Sequence, residues 1–94
     1  MTEERIEQLK QKGFIRWTKG SMDRLYINAS MLGLECSYYK TGNISDAYFD
    51  GDSISNSEAR RMKSAKTYID IHTDRVFSDN DKLLEAAKKL AEIE

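Results

Sequence analysis

The residues of this chain best suited to binding are arginines and tyrosines that alternate with apolar residues along predicted strands. Successive side chains of a strand point to opposite faces of the sheet, so this alternation separates a covered face from an open one. An open face of aromatic rings and guanidinium groups can pack against a protein, or it can stack bases and neutralise phosphates. The candidate binding set is Arg16, Arg24, Tyr26, Tyr39 and Tyr68.

This set depends on which side of each strand is covered. We predict that the helices cover the side that holds Ile15, Trp17, Leu25, Ile27, Leu34 and Cys36. The opposite side then carries Arg16, Arg24, Tyr26 and Tyr39, and Tyr68 and His72 join it if a strand over residues 66–72 is central in the sheet. A shift of one residue in register would exchange the two sides and turn Trp17 outward.

The charge balance favours a protein partner over nucleic acid. The chain has 15 lysines and arginines against 16 aspartates and glutamates, whereas nucleic-acid binders usually carry a basic excess. We therefore expect a non-enzymatic interaction domain that binds a protein, or a second copy of itself, through the exposed sheet face or an edge. The alternative is a nucleic-acid-binding module that uses the face and a basic N-terminal region. Its candidate residues are Lys10, Lys12, Arg16, Lys19, Arg24, Arg60, Arg61 and Lys63.

Both functional interpretations compete with a purely structural one. Tyrosine is a good strand former, and Tyr–Arg pairs stabilise exposed sheets that bind nothing. A run of basic residues such as 60–66 is most often a solvated helix face.

The acidic residues and the single histidine do not form a convincing metal site. Asp70, His72 and Asp74 would share one side of a strand, but a turn near residue 73 removes the third ligand, and most sites need three or four. The aspartates at 46, 50 and 52 lack the ligand spacing of a calcium loop. We expect neither a metal nor another cofactor.

Nucleophilic catalysis is disfavoured as well. Cys36 and His72 are the only possible Cys–His pair, and they are predicted on opposite faces of the sheet. The chain contains no glycine-rich phosphate loop and no serine-hydrolase elbow. No motif assigns it to a family, although its size and compact strand–helix pattern resemble those of bacterial accessory proteins.

The elements that hold these residues are predicted from periodicity, caps and turns. Helices are expected over 3–12, 56–64 and 80–93, capped by Thr2, by Ser55 and by Ser78 or Asp79. Strands are expected over 14–18, 23–28, 34–40, 44–50, 52–54, 66–72 and 76–77.

This order of elements predicts an α+β fold. We expect a single domain over residues 1–94, with an antiparallel sheet of about four to six strands and three helices mostly on one face. The chain has one cysteine, no apolar stretch near the ~20 residues of a membrane span, and an acidic start without a signal region. These features predict a soluble cytoplasmic protein that does not enter a membrane.

Overall fold

The computed structural model describes residues 1–92, in which three α-helices and seven strands surround one apolar core. The helices are α1 (Glu3–Gln11), α2 (Asn56–Ser64) and α3 (Asp81–Ala91), and a 3-10 helix spans Ala29–Leu32. The strands are β1 (Ile15–Lys19), β2 (Met22–Tyr26), β3 (Leu34–Tyr38), β4 (Ile44–Phe49), β5 (Asp52–Ser53), β6 (Thr67–Asp70) and β7 (Arg75–Ser78). The predicted last helix, 80–93, reaches beyond the described residues.

The strands form two antiparallel sheets. Sheet A has the order β1-β2-β6-β7, and sheet B has the order β3-β4-β5. The α+β class with three helices is confirmed. The division into two sheets arises because β2 pairs with the distant β6, while β3 and β4 pair with each other.

The helices and both sheets bury their apolar side chains in one continuous cluster. Leu25 and Ile69 enter it from sheet A, and Leu83 enters it from α3; none of the three is exposed to solvent. Helix α2 packs against sheet B and contributes Met62 to the same cluster. We call the side of sheet A that carries Leu25 and Ile69 the inner side.

Side-chain caps fix where the helices begin. Thr2 accepts a hydrogen bond from the amide of Arg5 at 3.1 Å, and Ser55 accepts one from the amide of Glu58 at 3.1 Å, so both predicted caps are confirmed. The predicted cap of α3 is wrong.

Asn80 caps α3 instead of Ser78 or Asp79. The side chain of Asn80 accepts from the amides of Lys82 and Leu83. Ser78 is unavailable because it belongs to β7 and its hydroxyl bonds Thr67, and Asp79 accepts from the amide of Lys66.

A tight turn sets the register of the hairpin formed by β1 and β2. Gly20 and Ser21 connect the strands; Gly20 has a φ of 60°, while Ser21 has a negative φ, as in a type II′ turn. Lys19 therefore lies opposite Met22, and the same register pairs Trp17 with Arg24.

Candidate binding face

The outer side of sheet A carries a row of apolar and aromatic side chains that crosses all four strands. Residues directly opposite each other in a sheet share a face. The pairing register places Ile15 opposite Tyr26, Tyr26 opposite Tyr68, and Tyr68 opposite Phe77. In the neighbouring row, Trp17 lies opposite Arg24.

The aromatic rings of these two rows contact one another in sequence. Trp17 meets Tyr26 edge-on with 6.0 Å between ring centres, Tyr26 lies 5.2 Å from Tyr68, and Tyr68 stacks on Phe77 at 5.3 Å. These are favourable aromatic separations, so the four rings support one another as a preformed surface.

Arg24 fixes the middle of this surface. Its guanidinium carbon lies 4.3 Å from the centre of the Tyr68 ring, and its Nη1 donates to the hydroxyl of Tyr26 at 2.9 Å. That hydrogen bond is the main cause that raises the pKa of Arg24, against the opposing effect of burial. The Nε atom of Arg24 is buried and has no hydrogen-bond partner within residues 1–92.

The surface is open to solvent at both of its ends. Ile15 is 64% exposed, Trp17 40% and Phe77 42%, whereas Tyr26 and Tyr68 at the centre are half-buried. No described element covers it. We name this surface the aromatic face and define it by Ile15, Trp17, Arg24, Tyr26, Tyr68 and Phe77.

The predicted orientation of β1 is wrong by one residue. Ile15 and Trp17 lie on the outer side with Arg24, Tyr26 and Tyr68, and not on the core side. The reason is the hairpin register, which aligns the apolar residues of β1 with Tyr26 and Arg24 of β2 and not with Leu25. All five residues of β1 are exposed, so this strand extends past the core.

Arg16 consequently lies on the inner side of sheet A, away from the rest of the candidate set. It forms a bidentate pair with Asp23, with N–O distances of 3.0 and 2.7 Å, and it lies 3.9 Å from Glu3. The hydrogen bond from Arg16, aided by one from Thr18, lowers the pKa of Asp23, and the same pair raises the pKa of Arg16.

Tyr39 does not join the aromatic face either. Strand β3 ends at Tyr38, after a register shift between Ser37 and Tyr38, and Tyr39 lies in the turn of sheet B. Its amide donates to the carbonyl of Asn43 at 2.8 Å, and 62% of the residue is exposed.

The basic residues of the nucleic-acid alternative do not converge on one surface. Lys10 and Lys12 belong to the end of α1, where Lys10 pairs with Glu7 and Lys12 donates to the carbonyl of Leu90. The three cations at 60, 61 and 63 lie on α2, and Lys63 contacts the Tyr38 ring of sheet B. Of the eight candidates, only Lys19 and Arg24 share the outer side of sheet A.

Asp70 and His72 have local structural roles. Asp70 accepts hydrogen bonds from the amides of His72 and Thr73, and the His72 ring lies 3.2 Å from the carbonyl oxygen of Ser21. Asp74 accepts from Arg5. Within residues 1–92, no group of three possible metal ligands comes together.

Cys36 lies on the other sheet from the strand that leads to His72. Cys36 is half-buried in β3 of sheet B, and β6, which ends just before Ile71 and His72, belongs to sheet A. The fold does not build a Cys–His dyad from these two residues.

Ile15 and Phe77 had no predicted binding role, and Trp17 was predicted on the covered side unless the register shifted by one residue. The signal that could have found all three is the turn length: a two-residue turn at Gly20–Ser21 fixes the β1–β2 register, and therefore the face of Trp17. Finding Phe77 required the register of the β6–β7 hairpin, which places it opposite Tyr68.

No family model matches this sequence, and comparisons with curated proteins and with solved structures found no significant match. None of the helices within residues 1–92 is long and apolar enough to cross a membrane.

Proposed function

We propose that this chain is a non-enzymatic interaction domain that binds a partner protein through the aromatic face. The observation that carries the proposal is the row of mutually packed rings across four strands, uncovered at both ends. Exposed apolar surface of this kind is costly in water and is typical of interaction sites.

The composition of the aromatic face suits a protein partner. Tyrosine, tryptophan, phenylalanine and arginine are enriched in protein interfaces and dominate their binding energy. Because the rings and Arg24 already hold one another in place, little side-chain entropy is lost on binding. The face lines neither of two grooves, of about 660 and 420 Å³, that occur elsewhere among the described residues, which favours a macromolecule over a small ligand.

The charges around the face support protein over nucleic acid. Lys19 and Arg75 add positive charge to the outer side, but Asp70 lies beside Arg24 in the same row. The guanidinium of Arg24 is already occupied by Tyr26 and Tyr68. A phosphate backbone would therefore meet few free cations on this face.

Position-specific photo-cross-linking in cells of the natural source tests the proposal. A photoreactive phenylalanine analogue replaces Phe77 in one variant and Tyr39 in the control, since both positions are exposed but only Phe77 lies on the aromatic face. We expect a discrete protein adduct from position 77 that disappears when Trp17→Ser is added. Adducts of equal yield from both positions, or no adduct from position 77, would overturn the proposal.

A titration with a fluorescent single-stranded oligonucleotide at low salt tests the alternative. We expect no binding. Binding that weakens steeply as salt rises and is lost in Trp17→Ser would replace the protein partner with nucleic acid.

A further inference from the structure

Strand β1 presents unpaired backbone groups along a free edge of sheet A. The amide of Ile71 donates to the carbonyl of Asp23, and that of Ile27 donates to the carbonyl of Thr67, both at 3.0 Å. The odd-numbered residues of β2 therefore bond toward β6, and its even-numbered residues bond toward β1. In β1 the outward groups are consequently the N–H and C=O of Arg16 and Thr18.

This edge lacks most of the devices that usually prevent pairing. Natural edge strands are shortened, bulged, charged, interrupted by proline or covered. Of these devices β1 has the charges of Arg16 and Lys19, and that of Arg16 is paired with Asp23. Strand β1 pairs with β2 over all five residues without a bulge, contains no proline, and is exposed on both faces. Its one extensive contact among the described elements is with β2.

We propose that β1 pairs antiparallel with β1 of a second copy, about a two-fold axis at Trp17, to give a continuous eight-stranded sheet. The inference names a partner for the proposed function and rests on it in treating the chain as an interaction domain. It uses the edge of sheet A and leaves Phe77, at the opposite edge, free for another protein.

The side chains of β1 select this register. With Trp17 opposite its symmetry mate, all five residues of both strands are paired, Arg16 faces Thr18 of the second copy, and Ile15 faces Lys19. A shift that places Arg16 opposite Arg16 would oppose like charges. A shift that places Thr18 opposite Thr18 would push Arg16 against the turn at Gly20 and shorten the ladder.

Each side of the joined sheet is complementary to itself. On the inner side, Asp23 pairs with Arg16 and accepts from the Thr18 hydroxyl, so each strand brings a compensated charge to the axis. On the outer side, Trp17 of each copy lies beside Trp17 of the other, which joins the two aromatic faces at the axis and leaves their solvent-facing surfaces open to another protein. One strand from each copy makes a small interface, so the dimer belongs to the weak, transient class.

Cysteine pairing reports this register directly. In a Cys36→Ser background, Ile15→Cys and Lys19→Cys are made as separate proteins. In the proposed dimer, positions 15 and 19 of different copies form a non-hydrogen-bonded pair with Cα atoms about 4.5 Å apart, close enough for a disulfide. Two cysteines at position 15 would lie about 13 Å apart along the strands, as would two at position 19.

We expect mild oxidation of the mixture to give a disulfide-linked heterodimer, and each protein alone to form no disulfide-linked dimer. A mixture that cross-links no more than the separate proteins would overturn the register. A mixture of Lys19→Cys and Tyr39→Cys is the control, because disulfides formed between these two positions measure the background yield from random collision.

Sedimentation equilibrium with Thr18→Pro tests the edge itself. The N–H that proline removes points away from β2, so the hairpin keeps its hydrogen bonds while the edge loses a donor. We expect Thr18→Ser to dimerise like the parent chain and Thr18→Pro to remain monomeric. If Thr18→Pro does not fold, the yield of the disulfide-linked heterodimer in the cysteine mixture still tests whether β1 pairs with a second copy.

The parent chain also distinguishes this inference from the proposed function. A chain that stays monomeric at millimolar concentration, while position 77 still cross-links to another protein, would end the second-copy inference and leave the proposed function standing. Loss of the adduct at position 77 while the dimer still forms would end the proposed function and leave the pairing with a second copy standing.

Discussion

The guanidinium of Arg24 lies over the ring of Tyr68, with 4.3 Å between the guanidinium carbon and the ring centre. These residues come from strands that are far apart in sequence but adjacent in sheet A. The contact therefore joins β2 to β6 on the side of the sheet that no helix within residues 1–92 covers. It also gives the aromatic face a fixed positive charge at its centre.

Replacing Arg24 by lysine should weaken the contact between β2 and β6. Lysine lacks the planar guanidinium that stacks on Tyr68 while donating to Tyr26, so we expect a lower urea midpoint and increased mobility of both rings. Arg75→Lys is the matched control, because Arg75 is an exposed arginine of the same side of the sheet. Equal decreases for the two variants would contradict the assigned role of Arg24.

Asp23 should make stability depend on pH in the acid range. Its folded pKa is lowered, chiefly by Arg16, while the unfolded value is about 3.9. The contribution of this carboxylate is therefore fully present above about pH 4 and is lost as the pH falls through the folded pKa. In urea unfolding, the stability difference between the parent chain and Asp23→Asn should shrink from about pH 6 to about pH 3.

Asp46→Asn is the control for that series. Asp46 is exposed in β4 and forms no hydrogen bond or ion pair through its side chain within residues 1–92. Because this carboxylate has no such partner among the described residues, the stability difference for Asp46→Asn should be small. If the stability difference between the parent chain and Asp23→Asn does not narrow in acid, the Arg16–Asp23 pair does not stabilise the fold.

Leu83 should be among the costliest positions to truncate. It is fully buried where α3 packs on sheet A, and Leu→Ala changes at such sites cost about 2–5 kcal/mol. That is a large share of the free energy of unfolding of a small domain. Leu84→Ala, at the half-buried neighbouring position of the same helix, should cost clearly less in urea unfolding. Equal costs would show that α3 is rotated about its axis.

The helices were predictable because local residues decide them. Thr2 and Ser55 satisfy amides three residues away, and the apolar stripe of α3 is a property of its own segment. The cap of α3 was missed because Ser78 and Asp79 are hydrogen-bonded across the β6–β7 hairpin to Thr67 and Lys66. Such competition is invisible in a local pattern.

The aromatic face was predictable only in part. Arg24, Tyr26 and Tyr68 were placed on one open side, as the structure has them. Alternation shows that Ile15 and Trp17 share a side, but it does not show that the strand lies beyond the core. Apolar residues on an overhanging edge strand are therefore mistaken for core residues, which is the error made for β1.

The fluorescence of Trp17 tests the central claim most directly, because the chain has one tryptophan and every functional statement depends on its lying on the uncovered side of sheet A. At concentrations low enough for a monomer, we predict that acrylamide quenches the indole in the folded protein to a substantial fraction of the quenching seen in urea. An indole with blue-shifted emission that acrylamide reaches only after unfolding would contradict the account.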